Sequence, residues 1–250
     1  MLLKYVFEKN QTWKEYYIRT TDLESFINCP YNYKFREFNF NNYETFYIGK
    51  VLHTYIQHYI IRWWDEDKKL LQDISKWLPS SLLSYLLQAK KILDENFDKK
   101  DYTVITMERS LMINFELAEG NIILEWTIDL VLTNWHSKIV DIKTANSKWS
   151  DGMLNLKHQS TIYSVLYNLA QKKTTGEQEF EYWIFTKQAT MQFQRIQKKV
   201  NIADALLFVR NKLSEYIQAE QNNMRWVNKS IQCGWCSLKK HCPAYQETLF

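Results

Sequence analysis

Apolar residues recur at helical spacing through most of the first hundred positions. Thr21-Asp22-Leu23-Glu24 has the form of a capping box, in which the threonine oxygen and the glutamate carboxylate each satisfy a free backbone amide, and it predicts a helix running towards Cys29-Pro30. Val51, Tyr55, Tyr59 and Trp63 mark one face of a helix over residues 47–64, and a further helical region spans 70–97 with an interruption at Pro79. The period changes at Tyr102. Residues 103–107 and 110–117 are β-prone, 119–121 read as a turn, and 122–132 and 138–142 read as further strands of an antiparallel meander. A helix over 154–171 follows, then short strands around 180–185 and 191–196, a helix over 202–221, and a tail that holds three cysteines.

The chain has 250 residues, enough for one elaborated domain or two small ones. Gly 5 and Pro 3 together make up about 3% of it, which excludes collagen, flexible linkers and low-complexity disorder. Aromatic residues are 16% and hydrophobic residues 46%, so there is apolar surface for a sizeable core. The formal net charge of +4 permits a polyanionic partner without demanding one, so a basic groove would have to be local. No stretch approaches the roughly 18 uncharged apolar residues of a membrane span. Charges near the start of the chain break the apolar run that a signal peptide needs, so the expected location is intracellular and cytoplasmic. The mixed charge run 65–69 reads as a solvated helix end. In a reducing compartment the four cysteines point to a metal site rather than to disulfides.

Asp141-Ile142-Lys143 ends a predicted strand, where positions i and i+2 project to one face. Taken alone, such a pair is usually an exposed ion pair. Asp129 lies on the preceding strand across a turn at 134–137, and antiparallel pairing would set the two acids side by side. Paired carboxylates with a lysine suit metal-assisted phosphodiester hydrolysis. Hard oxygen ligands hold magnesium or manganese, and the ammonium orients the attacking water or stabilises developing charge. Glu108, on the first predicted strand, reads as an exposed acid. His53 taken alone reads as a core histidine, and His58, His136, His158 and His241 as structural or solvent-facing.

These residues, in this order, resemble the PD-(D/E)XK nucleases of the RecB-like branch, which includes the AddB nuclease domain and the CRISPR-associated RecB-like exonucleases. Gly49-Lys50-Val51-Leu52-His53 is similar to the family's Gly-x-x-x-His, and Asp129 to its first metal-binding aspartate. Asp141 and Lys143 match its D/E-x-K, and Gln159-Ser160-Thr161-Ile162-Tyr163 its Gln-x-x-x-Tyr, whose i, i+4 spacing puts both side chains on one helix face. The resemblance implies an α/β, restriction-endonuclease-like core with a central mixed β-sheet flanked by helices. It implies one domain over 1–250: a mainly helical part to about residue 100 with Cys29 and His53, a catalytic sheet core over 101–200, and a helix and cysteine tail over 201–250. His53, Asp129 and Asp141 would bind Mg2+ or Mn2+, Lys143 would position water, and Gln159 and Tyr163 would hold the lysine or the scissile strand. The implied activity is DNA cleavage, as an exonuclease on single strands or DNA ends in repair, recombination or replication. The alternative is a catalytically weak DNA-binding or scaffolding subunit of a recombination or DNA-capture complex. Two positions depart from the family pattern: Trp126 stands where glycine is usual, which would alter how closely DNA backbone approaches, and Ile128 precedes Asp129 where proline is usual.

Cys233-x2-Cys236-x5-Cys242, with Cys29 far upstream, gives four thiolates that from spacing alone suit a 4Fe-4S cluster or zinc, or pack as small hydrophobes. The family resemblance implies the 4Fe-4S cluster, stapling the C-terminus to the N-terminal helices. Gln246, Leu249 and Phe250 in the last five residues resemble the peptide by which replication and repair proteins dock on the sliding clamp, or else pack on their own domain. Lys187, Arg195, Lys198 and Lys199 interleave with Trp183, Phe185 and Phe193, a mixture that would suit single-stranded DNA, although aromatics on strands are more often core.

Overall fold

The β-prone stretch beyond residue 102 forms the middle of one six-stranded mixed sheet. The computed structural model describes residues 15–35, 43–62, 79–98 and 101–246. The strands are β1 (Glu15–Arg19), β2 (Thr103–Leu117), β3 (Gly120–Thr133), β4 (Ser137–Ala145), β5 (Glu177–Thr186) and β6 (Phe193–Asn201). The helices are α1 (Thr20–Asn28), α2 (Pro30–Phe35), α3 (Tyr43–Arg62), α4 (Ser80–Asn96), α5 (Asp151–Leu154), α6 (Gln159–Ala170), α7 (Ile202–Gln221) and α8 (Pro243–Gln246).

β2 pairs antiparallel with β3 from Thr103↔Thr133 to Leu117↔Gly120, so it fills one whole edge of β3. The other edge is shared. β1 runs parallel to its first half, ending at Arg19↔Glu125, and β4 runs antiparallel to its second half, beginning at Leu130↔Val140. Among the described residues, 126–129 of β3 therefore have no strand partner on that edge. Beyond β4 the sheet continues with β5, parallel, and β6, antiparallel.

Side-chain alternation on β4 and β5 separates two cores, one on each face. Ile139, Phe180, Tyr182 and Ile184 join Leu23 and Phe26 of α1, Ile162 and Val165 of α6, and Val209 and Leu213 of α7. Val140, Ile142, Trp183 and Phe185 join Leu52 and Ile56 of α3 and Leu86 and Leu93 of α4. Each fully buried side chain of this kind contributes about 1.5–3 kcal/mol. On β3 the residues of the first core are even-numbered through Ile128, yet Val131 belongs to it while Leu130 and Leu132 belong to the second. The strand changes its inward face across Asp129, within its unpaired stretch.

The helical start, the mixed sheet and the flanking helices agree with the sequence reading, with four differences. β1 carried no strand expectation. The helix expected to open with a Thr21 capping box begins at Thr20 with no side-chain cap, because Glu24 is used elsewhere. The helix expected over 154–171 is broken into α5 and α6, where Asn28 Nδ2 donates to Leu156 O at 3.1 Å and Glu24 accepts the His158 N–H. The strand expected at 191–196 lies at Phe193–Asn201. Residues 63–78 of the expected second and third helices, the Glu108 side chain, and the terminal Gln246, Leu249 and Phe250 side chains lie outside what the structure describes. Among the described residues no helix is long and apolar enough to cross a membrane.

Candidate active site

The unpaired stretch of β3 is where the charged side chains gather. Continuing the β3/β4 register one step past Leu130↔Val140 would set Asp129 opposite Asp141, but the ladder stops before that pair. The Asp129 carboxylate instead accepts the Ile142 N–H at 2.8 Å, so a side chain replaces the missing backbone acceptor. The same oxygen, Oδ2, lies 2.9 Å from His53 Nε2. Gln57, one turn beyond His53 on α3, donates to the Asp129 carbonyl at 3.3 Å.

Lys143 Nζ lies 2.9 Å from Asp141 Oδ2 across the strand's i, i+2 spacing. That oxygen is buried and, although the ammonium is near, it lacks an aligned hydrogen-bond donor. Tyr163 on α6 is 5% exposed and hydrogen-bonds with Thr20, at the start of α1. Gln159 begins α6, and its Oε1 is also buried without a partner among the described residues. The structure thus brings His53, Asp129, Asp141, Lys143 and Tyr163 into one electrostatically linked site, with Gln159 one turn from Tyr163.

Burial pushes the Asp141 carboxyl up to about 7; the neighbouring Asp129 and Glu24 charges add to this, and Lys143 opposes it. Burial acts on Asp129 in the same sense, but the hydrogen bond and charge of His53, with Lys143, outweigh it and hold Asp129 below its usual value. His53 responds reciprocally: burial would lower its pKa, and Asp129 raises it. Burial would discharge Lys143, yet the surrounding acids keep it protonated, while burial and those same acids hold Tyr163 as a neutral phenol. Two hard-oxygen acids beside an imidazole suit a divalent cation, and the unsatisfied Asp141 oxygen is an acceptor that such a cation would satisfy. Among the described residues no three His, Cys, Asp or Glu side chains already converge as a closed metal cage; the acids are paired with His53 and Lys143.

Glu24 belongs to the site and was missed in the sequence. It is 8% exposed, its Oε1 accepts the His158 N–H at 2.8 Å, and its charge bears on Asp141. The signal lay in helical spacing: Thr20, Leu23, Glu24 and Ile27 form one stripe, so a carboxylate stands where an apolar residue belongs. Trp126, expected to bear on how closely DNA approaches, is buried. It is 1% exposed, with its ring 5.9 Å from that of Tyr163.

The strand cations and aromatics divide between the two faces. Trp183 and Phe185 are buried in the second core with Phe193 against it, and Arg195 is bound to Glu181 through Nε at 2.8 Å and Nη2 at 2.7 Å. Those four residues form core and ion pair, not a DNA surface; Lys198 reaches the face that carries the acids, its Nζ 5.7 Å from the Tyr182 ring centroid.

Cys29, Cys233, Cys236 and Cys242 line a single cavity of about 250 Å³, all as free thiols. Asn32 Nδ2 lies 3.3 Å from Cys236 Sγ, and the Ser230 N–H lies 3.4 Å from Cys233 Sγ, donors of the kind that support thiolates. Backbone and side-chain bonds from Tyr31 to Trp226 and His241, and from Asn228 to Ile27, tie the first helices to this tail. Four thiols around one cavity are the donor type of a four-thiolate cofactor, although among the described residues no three of them already form a metal-holding group.

The solved structures similar to the chain include two that match most of its length. The crystal structure of SSO0001 is 17% identical, covers 97% of this chain and 90% of its own, and gives a TM-score of 0.44. A candidate exonuclease from Eubacterium rectale is 14% identical, with 94% and 88% coverage and a TM-score of 0.49. No curated protein sequence matches the chain significantly. A family model matches residues 20–243, from the first residue of α1 to just past the last cysteine, and by that match the chain belongs to the PD-(D/E)XK nuclease superfamily.

Proposed function

We propose that this chain is a divalent-metal-dependent deoxyribonuclease that acts as an exonuclease on single strands or DNA ends, in repair, recombination or replication. The observation that carries the reading is the gathering of His53, Asp129, Asp141 and Lys143 at the one stretch of β3 that has no strand partner on its inner edge. His53, Asp129 and Asp141 would hold magnesium or manganese. When bound there, the ion supplies Lewis-acid polarisation of the scissile phosphate and a more acidic water. Lys143, kept charged by its acidic neighbours, points its ammonium where a water or a developing negative charge can be stabilised. Tyr163 stays a neutral donor at neutral pH, and with Gln159 it orients the lysine or the strand being cut. Cys29, Cys233, Cys236 and Cys242 are assigned to a structural 4Fe-4S cluster rather than to zinc.

The test is degradation of end-labelled single-stranded DNA by anaerobically purified protein with manganese, wild type beside Lys143→Ala. Label lost only with the wild type supports the reading, and the product ladder gives the end attacked. If neither protein cuts while both bind DNA, the reading fails and a DNA-binding or scaffolding subunit replaces it.

A further inference from the structure

We infer that a single-strand subsite adjoins the candidate active site, with the Trp149 indole as stacking platform for a base and the ammonium groups of Lys157 and Lys198 as its phosphate clamp. The assignment of DNA as the strand rests on the nuclease reading above. Trp149 follows the end of β4 by four residues, and a single side chain fixes it: Gln194 Oε1 accepts the Trp149 N–H at 2.8 Å, and Gln194 Nε2 donates to the Trp149 carbonyl at 3.1 Å. The half-buried indole rests against Tyr182, ring centroids 5.2 Å apart. Tyr182 is itself the β5 partner of Asp141.

Lys157 Nζ lies 5.3 Å from the Trp149 ring centroid, and Lys198 Nζ lies 5.7 Å from that of Tyr182. Their counter-charge is thin. Lys157 has Glu24 at 3.9 Å, beyond hydrogen-bond reach, and Lys198 has no ion-pair partner among the described residues, although Glu24 acts on it through space. Lys212, close by, is already neutralised by both oxygens of Glu215 at 2.8 Å. His158 lies flat on Phe208, and burial together with Lys198, Lys212 and Lys157 holds it neutral at ordinary pH. Two ammonium groups are thus held on aromatic faces, short of acid, at a place where a phosphate would complete the charge. Lys198 sits two strands from Asp141 and two residues along, on the same face, a separation of roughly 12 Å at ordinary strand spacing and rise, so one strand can span both places. The Trp149 ring, packed against the first core on one side and still partly exposed beside Lys157, would suit single strands, whose bases are free to stack.

The test is fluorescence anisotropy of a labelled single-stranded oligonucleotide with the full chain in EDTA, across a salt series, beside a blunt duplex of the same sequence. Lys157→Gln and Lys198→Gln are expected to weaken single-strand binding several-fold, and to reduce the salt slope by about 0.7 for each phosphate that is no longer neutralised. Trp149→Leu is expected to weaken it at least about fivefold, with Trp149→Phe close to wild type. The exposed Lys173→Gln serves as control. Wild-type affinity in both lysine variants, equal loss in the Lys173 control, or equal loss for the duplex overturns the subsite. Should Trp149→Leu not fold, the lysine pair and Trp149→Phe decide. Manganese-dependent cleavage is scored in parallel. Binding that depends on these residues without cleavage overturns the nuclease reading and leaves the subsite standing, whereas cleavage with unchanged binding does the reverse.

Discussion

Gly49 of α3 and Thr144 of β4 approach so closely that a Cβ on residue 49 would come 2.7 Å from the Thr144 hydroxyl oxygen. This gives the glycine of the Gly-x-x-x-His spacing a mechanical reason. The helix crosses the strand one residue beyond Lys143, and His53 follows one turn later to reach Asp129. Gly49→Ala gains about 1 kcal/mol of helix propensity but loses about 1–3 kcal/mol to overpacking, so stability falls by up to about 2 kcal/mol. Activity is expected to fall by about 100-fold, because α3 must withdraw and carry His53 with it. Adding Thr144→Ala removes the obstructing hydroxyl and should restore cleavage. Thr144→Ser keeps the hydroxyl and should not, and thermal melts beside a cleavage assay compare the three.

The Asp141–Lys143 pair predicts strong non-additivity. Lys143→Met leaves the buried Asp141 without its cation and is expected to cost about 3–5 kcal/mol, whereas Lys143→Met with Asp141→Asn should cost less than the single change. Denaturant melts of the two single variants and the double provide the cycle. Additive losses would show that the pair is not coupled in the folded state.

The pairing within the candidate site was legible because strand and helix periods are local: Asp141 and Lys143 share a face by alternation, and Gln159 and Tyr163 by one helical turn. What was not legible depends on distant partners. β1 is five residues long, and its partner lies about a hundred positions away on β3. Glu24 imitates a capping residue because Thr21 precedes it by three, and only the position of His158 shows what it binds. Arg195 resembles a DNA contact until Glu181 is seen beneath it, since alternating bases and aromatics describe two faces of a strand as readily as one binding surface.

That Glu181 network sets an acid limit on stability. Glu181 is 1% exposed and accepts from Arg195, Lys138, Trp183 and Gln197, and these donors, overcoming the upward push of burial, lower its pKa to about 2. Because the folded value is depressed, its stabilising contribution is complete above the unfolded carboxylate range and is lost as pH falls from about 4.5 towards 2. Up to roughly 3 kcal/mol should disappear in that window. Glu181→Gln should flatten this part of a pH series of melts; an unchanged slope would place the acid sensitivity elsewhere.

The cysteine cavity predicts a cofactor that holds the two ends of the chain together. Anaerobically purified protein is expected to carry roughly four iron atoms per chain, as a cluster held by four cysteine thiolates does. Cys29→Ser should lose iron and lower the melting temperature, because the cross-link closes a loop of roughly 210 residues. Elemental analysis that finds one zinc and no iron would replace the cluster with a zinc site of the same geometry.

Trp126 acts on the site from behind. Its ring lies 5.9 Å from that of Tyr163, its indole Nε1 is buried without a partner among the described residues, and it is 1% exposed, so no nucleic acid reaches it. Trp126→Gly would open a cavity beneath Tyr163 and cost more than the roughly 3–5 kcal/mol typical of Trp→Ala, since a glycine inside β3 adds backbone entropy. Trp126→Phe separates packing from chemistry. It keeps most of the buried apolar volume and removes the unsatisfied N–H, so the melting temperature should change little. If the indole fixes the Tyr163 phenol against Thr20 and the acids, the cleavage rate should fall several-fold while single-strand affinity in EDTA stays at the wild-type level. A fall in affinity with an unchanged rate would mean instead that Trp126 shapes the strand's path, the opposite of what its burial dictates.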